Sequence, residues 1–308
     1  MNEKIKKLTD NMSKVIAGKE LAVKELTAAL ISGGHALIED VPGVGKTQLA
    51  GAMSKSVGGE FHRLQLTPDI MPSDITGFSM VDKNTGALEY KRGAAFCNFL
   101  LADEINRASP KTQSALLEIM EERQVSVDGV THPLPKLHMV IATQNPVETY
   151  GTYHLPEAQM DRFAIKMKIG YPTNTDELTV MERNEYVNPL TSINAVMTTE
   201  EVLEIIEEVK RVRTEENIRK YVVAIAENSR SSDLIKLGIS PRGSIILHRL
   251  SKAFAYIDGR EFVTPDDVKN CAVITLAHRL TLSPKGKSSL ETKEAAVKML
   301  LETTEVPV

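Results

Sequence analysis

The chain has 308 residues, with 37 Lys+Arg against 41 Asp+Glu and a net charge of −4. That length exceeds the usual single domain and points to two unequal ones. Hydrophobic residues at 42% and charged residues at 25% exclude disorder and collagen-like structure, and 5% aromatics with no Trp leave little for base stacking.

The N-terminal Met1-Asn2-Glu3-Lys4-Ile5-Lys6-Lys7 is charged and no apolar h-region follows it. The uncharged stretch from Leu26 to Ile38 is broken by Gly33-Gly34 and is too short to span a bilayer. A cytoplasmic location with no membrane partner is therefore expected. Ala22, Leu26, Ala29 and Leu30 form a helical stripe that Gly33-Gly34 ends. His35 to Glu39 then reads as a short buried strand, followed by a glycine-rich loop that opens a helix near Lys46. Further strands are expected at Phe61–Gln65, Asn98–Asp103, His138–Thr143 and Phe163–Ile169. Ser109-Pro110 reads as the N-cap and first residue of a helix carrying Leu116, Leu117 and Met120. Apolar strands alternating with helices indicate a parallel sheet covered on both faces.

Two hairpin signals interrupt that rhythm. Gly77–Val81 and Ala87–Tyr90 flank the turn Asp82–Gly86, and Gln124–Val127 and Val130–Leu134 flank Asp128-Gly129. From about residue 198 the pattern is helical only, opening on a Thr198/Glu201 capping box. The boundary is expected between Tyr186 and Ala195, where Asn188-Pro189 breaks the preceding helix. Cys97 and Cys271 sit in apolar settings and read as core residues. No Cys or His pair has the spacing of zinc ligands.

Chemistry-bearing residues cluster at strand ends. Val41-Pro42-Gly43-Val44-Gly45-Lys46-Thr47 lies between a strand and a helix. Glycines there let backbone N–H groups converge on phosphate oxygens, Lys46 reaches the terminal phosphates, and the Thr47 hydroxyl can ligate Mg²⁺. The usual pattern has Gly at position 40, where this chain has Asp40. Asp103-Glu104 closes an apolar strand at the same sheet edge. Asp103 is suited to hold Mg²⁺ and Glu104 to polarise the attacking water. Thr143-Gln144-Asn145-Pro146 ends the next strand, and the Asn145 amide can reach the γ-phosphate or the water. Arg242, in Ser240-Pro241-Arg242, falls at the second position of a helix. A cation there opposes the helix dipole, which suggests an anionic partner such as a nucleotide phosphate.

These blocks, in this order, closely resemble the MoxR family of AAA+ ATPases. Glu157-Ala158-Gln159-Met160-Asp161-Arg162-Phe163, Asp103-Glu104-Ile105-Asn106-Arg107-Ala108 and Pro72-Ser73-Asp74-Ile75-Thr76-Gly77 carry the likeness further, which runs from about Val15 to Pro307. The resemblance implies an α/β fold: a P-loop αβα core with a five-stranded parallel sheet over 1–190, hairpin inserts near 77–90 and 124–134, and an all-helical lid over 191–308. It implies ATP and Mg²⁺ as cofactors, with Pro42, Gly43, Val44, Gly45, Lys46, Thr47 and Gln48 binding ATP. It also implies Thr47 and Asp103 at the metal and Glu104, Asn145, Arg162 and Arg242 in catalysis. Here Lys46 and Thr47 resemble Walker A, Asp103 and Glu104 Walker B, Asn145 sensor 1, Arg162 an arginine finger and Arg242 sensor 2. A homo-oligomeric ring, usually a hexamer, is implied. So is a protein client, often with a separate partner bearing a von Willebrand factor A domain.

The alternatives are a nucleic-acid motor, a magnesium-chelatase-like subunit and a nucleotide-operated scaffold. A motor calls for basic pore hairpins, yet Glu121–Lys136 carries a net charge of −1 and no Phe, Tyr or Trp. Glu104 and Arg162 argue against a scaffold that does not turn over.

Overall fold

Short apolar runs bury both faces of a sheet, as the central strands at Ala36–Glu39, Phe99–Asp103 and Met139–Gln144 do here. The computed structural model describes residues 1–84, 86–146, 151–185 and 188–306. Thr85 in the first hairpin turn, Tyr186 at the expected boundary and Pro307 lie outside these residues. The strands β1 (Ala36–Glu39), β2 (Phe61–Gln65), β5 (Phe99–Asp103), β8 (Met139–Gln144) and β9 (Ile165–Met167) make one parallel sheet in the order β2-β5-β8-β1-β9. Both expected hairpins form: β3 (Gly77–Val81) with β4 (Leu88–Arg92), and β6 (Gln124–Val127) with β7 (Val130–Pro133).

Alternate residues of each strand point to opposite faces, so the sheet has two cores. Ile38, Phe99, Leu101 and Ile141 pack with Leu49 and Met53 of a helix over Lys46–Val57. Leu37, Leu100, Val140 and Ala142 pack with Leu116, Leu117 and Met120 of a helix over Pro110–Glu122. The buried His35 ties the second layer together. Its Nδ1 accepts from the Val140 N–H at 2.9 Å, and its Nε2 lies 3.1 Å from the Met120 carbonyl. That pairing fixes a neutral Nε2–H ring, and burial pushes its pKa down to about 3.

The strand expected over Phe163–Ile169 is shorter, Ile165–Met167. Its ends are taken by other acceptors: Phe163 N–H donates to Met160 in a turn, and the Ile169 N–H donates to the Asp40 carboxylate at 2.8 Å.

The C-terminal part is built on helices over Thr199–Arg211, Glu216–Ser231, Pro241–Ile257, Pro265–Leu276, Pro284–Leu290 and Lys293–Thr303. The expectation of helices alone needs correction, since β10 (Ile235–Leu237) and β11 (Thr281–Leu282) form a small antiparallel ribbon. Three and two residues are too few to register as alternation, and only Ile235 and Leu282 are buried in it. This part is strapped to the sheet by Arg279, which is buried. Its Nε donates to Asp161 at 2.7 Å and its Nη2 to the Phe163 carbonyl at 2.6 Å. Among the described residues no helix is long and apolar enough to cross a membrane.

Glu25, on the helix Glu20–Ile31, is buried and has no side-chain hydrogen bond or ion pair among the described residues. Desolvation raises its pKa to about 7 from 4.5. A carboxyl whose pKa is higher folded than unfolded favours folding below about pH 4.5, and that advantage is lost as pH rises towards 7. Glu25→Gln should therefore gain stability over wild type by on the order of 1–3 kcal/mol more at pH 8 than at pH 4.5. Urea unfolding at the two pH values measures this, and a pH-independent difference would contradict it.

Candidate active site

The loop after β1 leaves the carboxyl edge of the sheet between its two neighbours. Gly43 and Gly45 have φ of +86° and +91°, and Gly45 is the residue from which the helix Lys46–Val57 starts. A Cβ at either would be strained by that backbone alone, even in open space. Asp40 does what glycine would not. One carboxylate oxygen accepts from its neighbour's N–H at Val41 (2.8 Å), and the other accepts from Ile169 (2.8 Å) and Gly170 (2.6 Å). The root of the loop is thus clamped to the end of β9. Lys46 Nζ donates to the Asp40 carbonyl at 2.7 Å, folded back across the loop.

Register puts Asp103 beside Gln65 on one side, and Gln144 beside Glu39 on the other. The Asp103 carboxylate is buried, and both of its oxygens are engaged. Arg63 donates to Oδ2 through Nε (3.2 Å) and Nη2 (2.7 Å), and the Thr143 hydroxyl donates to Oδ1. The same Thr143 oxygen accepts the Glu104 N–H at 2.9 Å. Glu104 itself is left-handed, at φ 59° and ψ 53°, a conformation that costs a non-glycine residue about 1–3 kcal/mol. Its carboxylate lies 3.2 Å from Arg107 and keeps a quarter of its surface exposed. Asn145, the next residue after β8, is buried.

Arg162 and Arg242 are not part of this cluster. They line a separate cavity of about 450 Å³ with Arg123, Arg249, Gly33 and Glu121, none of them a residue of the loop. Ser240 caps the helix Pro241–Ile257 by accepting from Gly243 N–H at 3.0 Å, and its hydroxyl donates to Asp161 at 3.0 Å. Arg242 is therefore the second helical residue, as its sequence context predicts. The anion it meets within the chain is Glu121 Oε2, at 2.6 Å. Arg162 Nε lies 4.0 Å from the same oxygen. An intrachain partner for Arg162 at Asp161 or Glu157 is not formed, because Asp161 is held by Arg279 and Ser240, and Glu157 by Thr281. Exposed pairs of this kind are worth about 0–1 kcal/mol, so both arginines are free to trade Glu121 for a stronger anion.

The loop edge fits a nucleotide with a divalent cation. Gln48 Oε1 and Gln144 Oε1 are buried with no hydrogen-bond partner among the described residues. An unpaired buried acceptor costs about 1–3 kcal/mol, so both amides lack a donor that a bound ligand or its water can bring. The Thr47 hydroxyl and Asp103 carboxylate are hard oxygen ligands of the kind that Mg²⁺ takes. A second cavity of about 180 Å³ adjoins the loop, walled by Val15, Ile16, Val44, Pro172 and Val180, with Gln48 at its side. Sequence reading missed this slot, though the burial of Val15 and Ile16 outside any helix is its structural mark. Arg63, Thr143 and Glu121 were also missed, because each acts through a partner that lies far along the chain.

Residues 35–165 match the family model described as "ATPase family associated with various cellular activities (AAA)", and residues 227–299 match the AAA lid domain. The chain is 45% identical to the uncharacterized protein YeaC of Bacillus subtilis, over 98% of this chain and 94% of that protein. It is 35% identical to Chaperone MoxR1 of Mycobacterium tuberculosis, over 96% and 80%. A crystal structure from Cytophaga hutchinsonii, of a protein classed as an ATPase, superposes with a TM-score of 0.92 at 36% identity, covering 99% of this chain and 95% of that one. The parallel-sheet core with its C-terminal lid, the loop edge and these relatives agree: the chain belongs to the MoxR family of AAA+ ATPases, with ATP hydrolysis as its general activity.

Proposed function

We propose that this protein is a Mg²⁺-dependent ATPase that works as a homo-oligomeric ring, a hexamer in the form its family suggests, and remodels or activates a protein client in the cytoplasm. The observation that carries the reading is the division of labour between two faces. Lys46, Asp103, Glu104 and Asn145 gather at the loop edge, whereas Arg162 and Arg242 stand together in another cavity. A site whose anion-binding arginines lie elsewhere is completed by a neighbour.

In this reading Pro42, Gly43, Val44, Gly45, Lys46, Thr47 and Gln48 bind ATP, with the base in the slot under Val15 and Ile16. Thr47 and Asp103 would hold Mg²⁺, which would supply neutralisation of phosphate charge. The Glu104 carboxylate orients and polarises the attacking water, and the Asn145 amide hydrogen-bonds the γ-phosphate or that water. Arg162 and Arg242 of the adjacent subunit stabilise charge on the transferred phosphoryl group. The proposed division places the nucleotide core over 1–190 and the lid over 191–308, so that Arg279 relays motion between them.

The client reading rests on the hairpins. Phe78, Met80, Val81 and Leu88 are exposed on β3 and β4, and Tyr90 stacks on His132 of β7 at 3.9 Å between ring centroids. A paired apolar tip suits a protein client, directly or through a von Willebrand factor A partner, better than a phosphate backbone.

Lys46→Ala should weaken ATP binding about 100-fold or more, since it removes the cation facing the phosphates; calorimetry reads this, and wild-type affinity would remove the loop from the site. Glu104→Gln should keep ATP affinity while slowing hydrolysis by roughly 10²–10⁴-fold. Pull-down with that variant is the route to the client.

Arg162→Ala should bind ATP nearly normally and hydrolyse it roughly 10³-fold more slowly. Mixing it with Glu104→Gln should restore part of the activity, because some interfaces then pair an intact Glu104 with an intact Arg162. No recovery, with subunit exchange demonstrated, would place Arg162 in a purely structural role.

A further inference from the structure

A buried carboxylate cannot stay uncompensated, and Asp103 is compensated by a residue that nothing above assigns to the reaction. Arg63 lies on β2, next to β5, and directs two N–H groups at a single Asp103 oxygen. The asymmetry of the pair is informative. The Asp103 side chain is 10% exposed, and that of Arg63 is 49% exposed. The acid is fixed by Thr143 and the sheet, while the guanidinium stands on a half-solvated stem whose further hydrogen bond among the described residues is Nη2 to Gln65 Oε1 at 3.3 Å. The carboxylate can stay in place while the cation leaves.

We propose that Arg63 is a positioning residue that stands in for the metal: it neutralises Asp103 before nucleotide loading and must give way when the divalent cation arrives. This rests on reading Asp103 as the metal carboxylate. A monocation in a partly solvated pair loses to a dication only when the nucleotide phosphates supply further ligands. Arg63 therefore makes metal binding conditional on nucleotide.

The test is Mn²⁺ binding by electron paramagnetic resonance, in the presence of a non-hydrolysable ATP analogue, with analogue affinity in EDTA as reference. Arg63→Gln should lower the half-saturating Mn²⁺ concentration about tenfold, and Arg63→Lys, which keeps the charge, should stay close to wild type. An unchanged or raised half-saturation in Arg63→Gln would overturn the proposal, because Arg63 would then be indifferent to the metal or would help to build its site. Asp103→Asn separates the underlying reading: Mn²⁺ affinity unaffected by that change would show that Asp103 is not the ligand. Should Arg63→Gln fail to fold, phenylglyoxal labelling of Arg63 in the unsubstituted protein, read by peptide mass spectrometry, decides instead. Labelling of the analogue-loaded protein should accelerate on adding Mn²⁺, and an equal rate would overturn the proposal.

Discussion

A single hydroxyl sets the geometry of the acidic pair. Thr143 donates to Asp103 and accepts from the Glu104 backbone, so the two carboxylates diverge from a shared anchor on the neighbouring strand. Without it the left-handed turn at Glu104 would have no compensation close to its N–H, and the chain would relax towards ordinary backbone. The turn matters because it carries Glu104 out of the sheet, where it meets Arg107 and water, and leaves Asp103 inside with Arg63. Two adjacent acids thus have different surroundings, which chemistry requiring one charge holder and one water-activating base calls for.

The same economy governs the loop. Asp40 departs from the glycine usual at its position, and the cost of a buried carboxylate is offset by three backbone N–H groups. Those bonds join the loop root to Ile169 and Gly170, just beyond β9, and the Asp40 carbonyl in turn holds Lys46. Arg279 reaches the other end of β9 through Asp161, Phe163 and Ala164. The edge strand is therefore held by the loop at its end and by the lid at its start.

Much of this was legible in the sequence, for a physical reason. Strands buried on both faces write their burial into consecutive residues, so β1, β5 and β8 stood out, and glycines demanded by positive φ marked the loop. Ser240-Pro241 named the first turn of the Arg242 helix by capping chemistry alone. What was not legible is pairing across the chain. Asp40 looked like a departure because its partners are about 130 residues away, and Arg63 looked like an ordinary strand residue because its meaning comes from β5. The short ribbon of β10 and β11 was hidden for a related reason, since neither strand is long enough to show a period.

Glu121 illustrates how the two faces differ in kind. At the loop edge, the Asp40 and Asp103 carboxylates are buried and held by backbone N–H groups, Thr143 and Arg63, while Glu104 stays partly exposed. In the arginine cavity, one half-exposed carboxylate holds Arg242 at 2.6 Å and Arg162 at 4.0 Å, with Arg123 and Arg249 on the same cavity wall. Among the described residues that line this cavity, four arginines face one carboxylate, an excess of positive charge. A surface with that imbalance is stabilised by meeting negative charge from outside. In the proposed ring, a triphosphate on a neighbouring copy's loop would be such a charge. On that proposal, assembly and nucleotide loading would be coupled by electrostatics, each favouring the other because the same arginines would serve both.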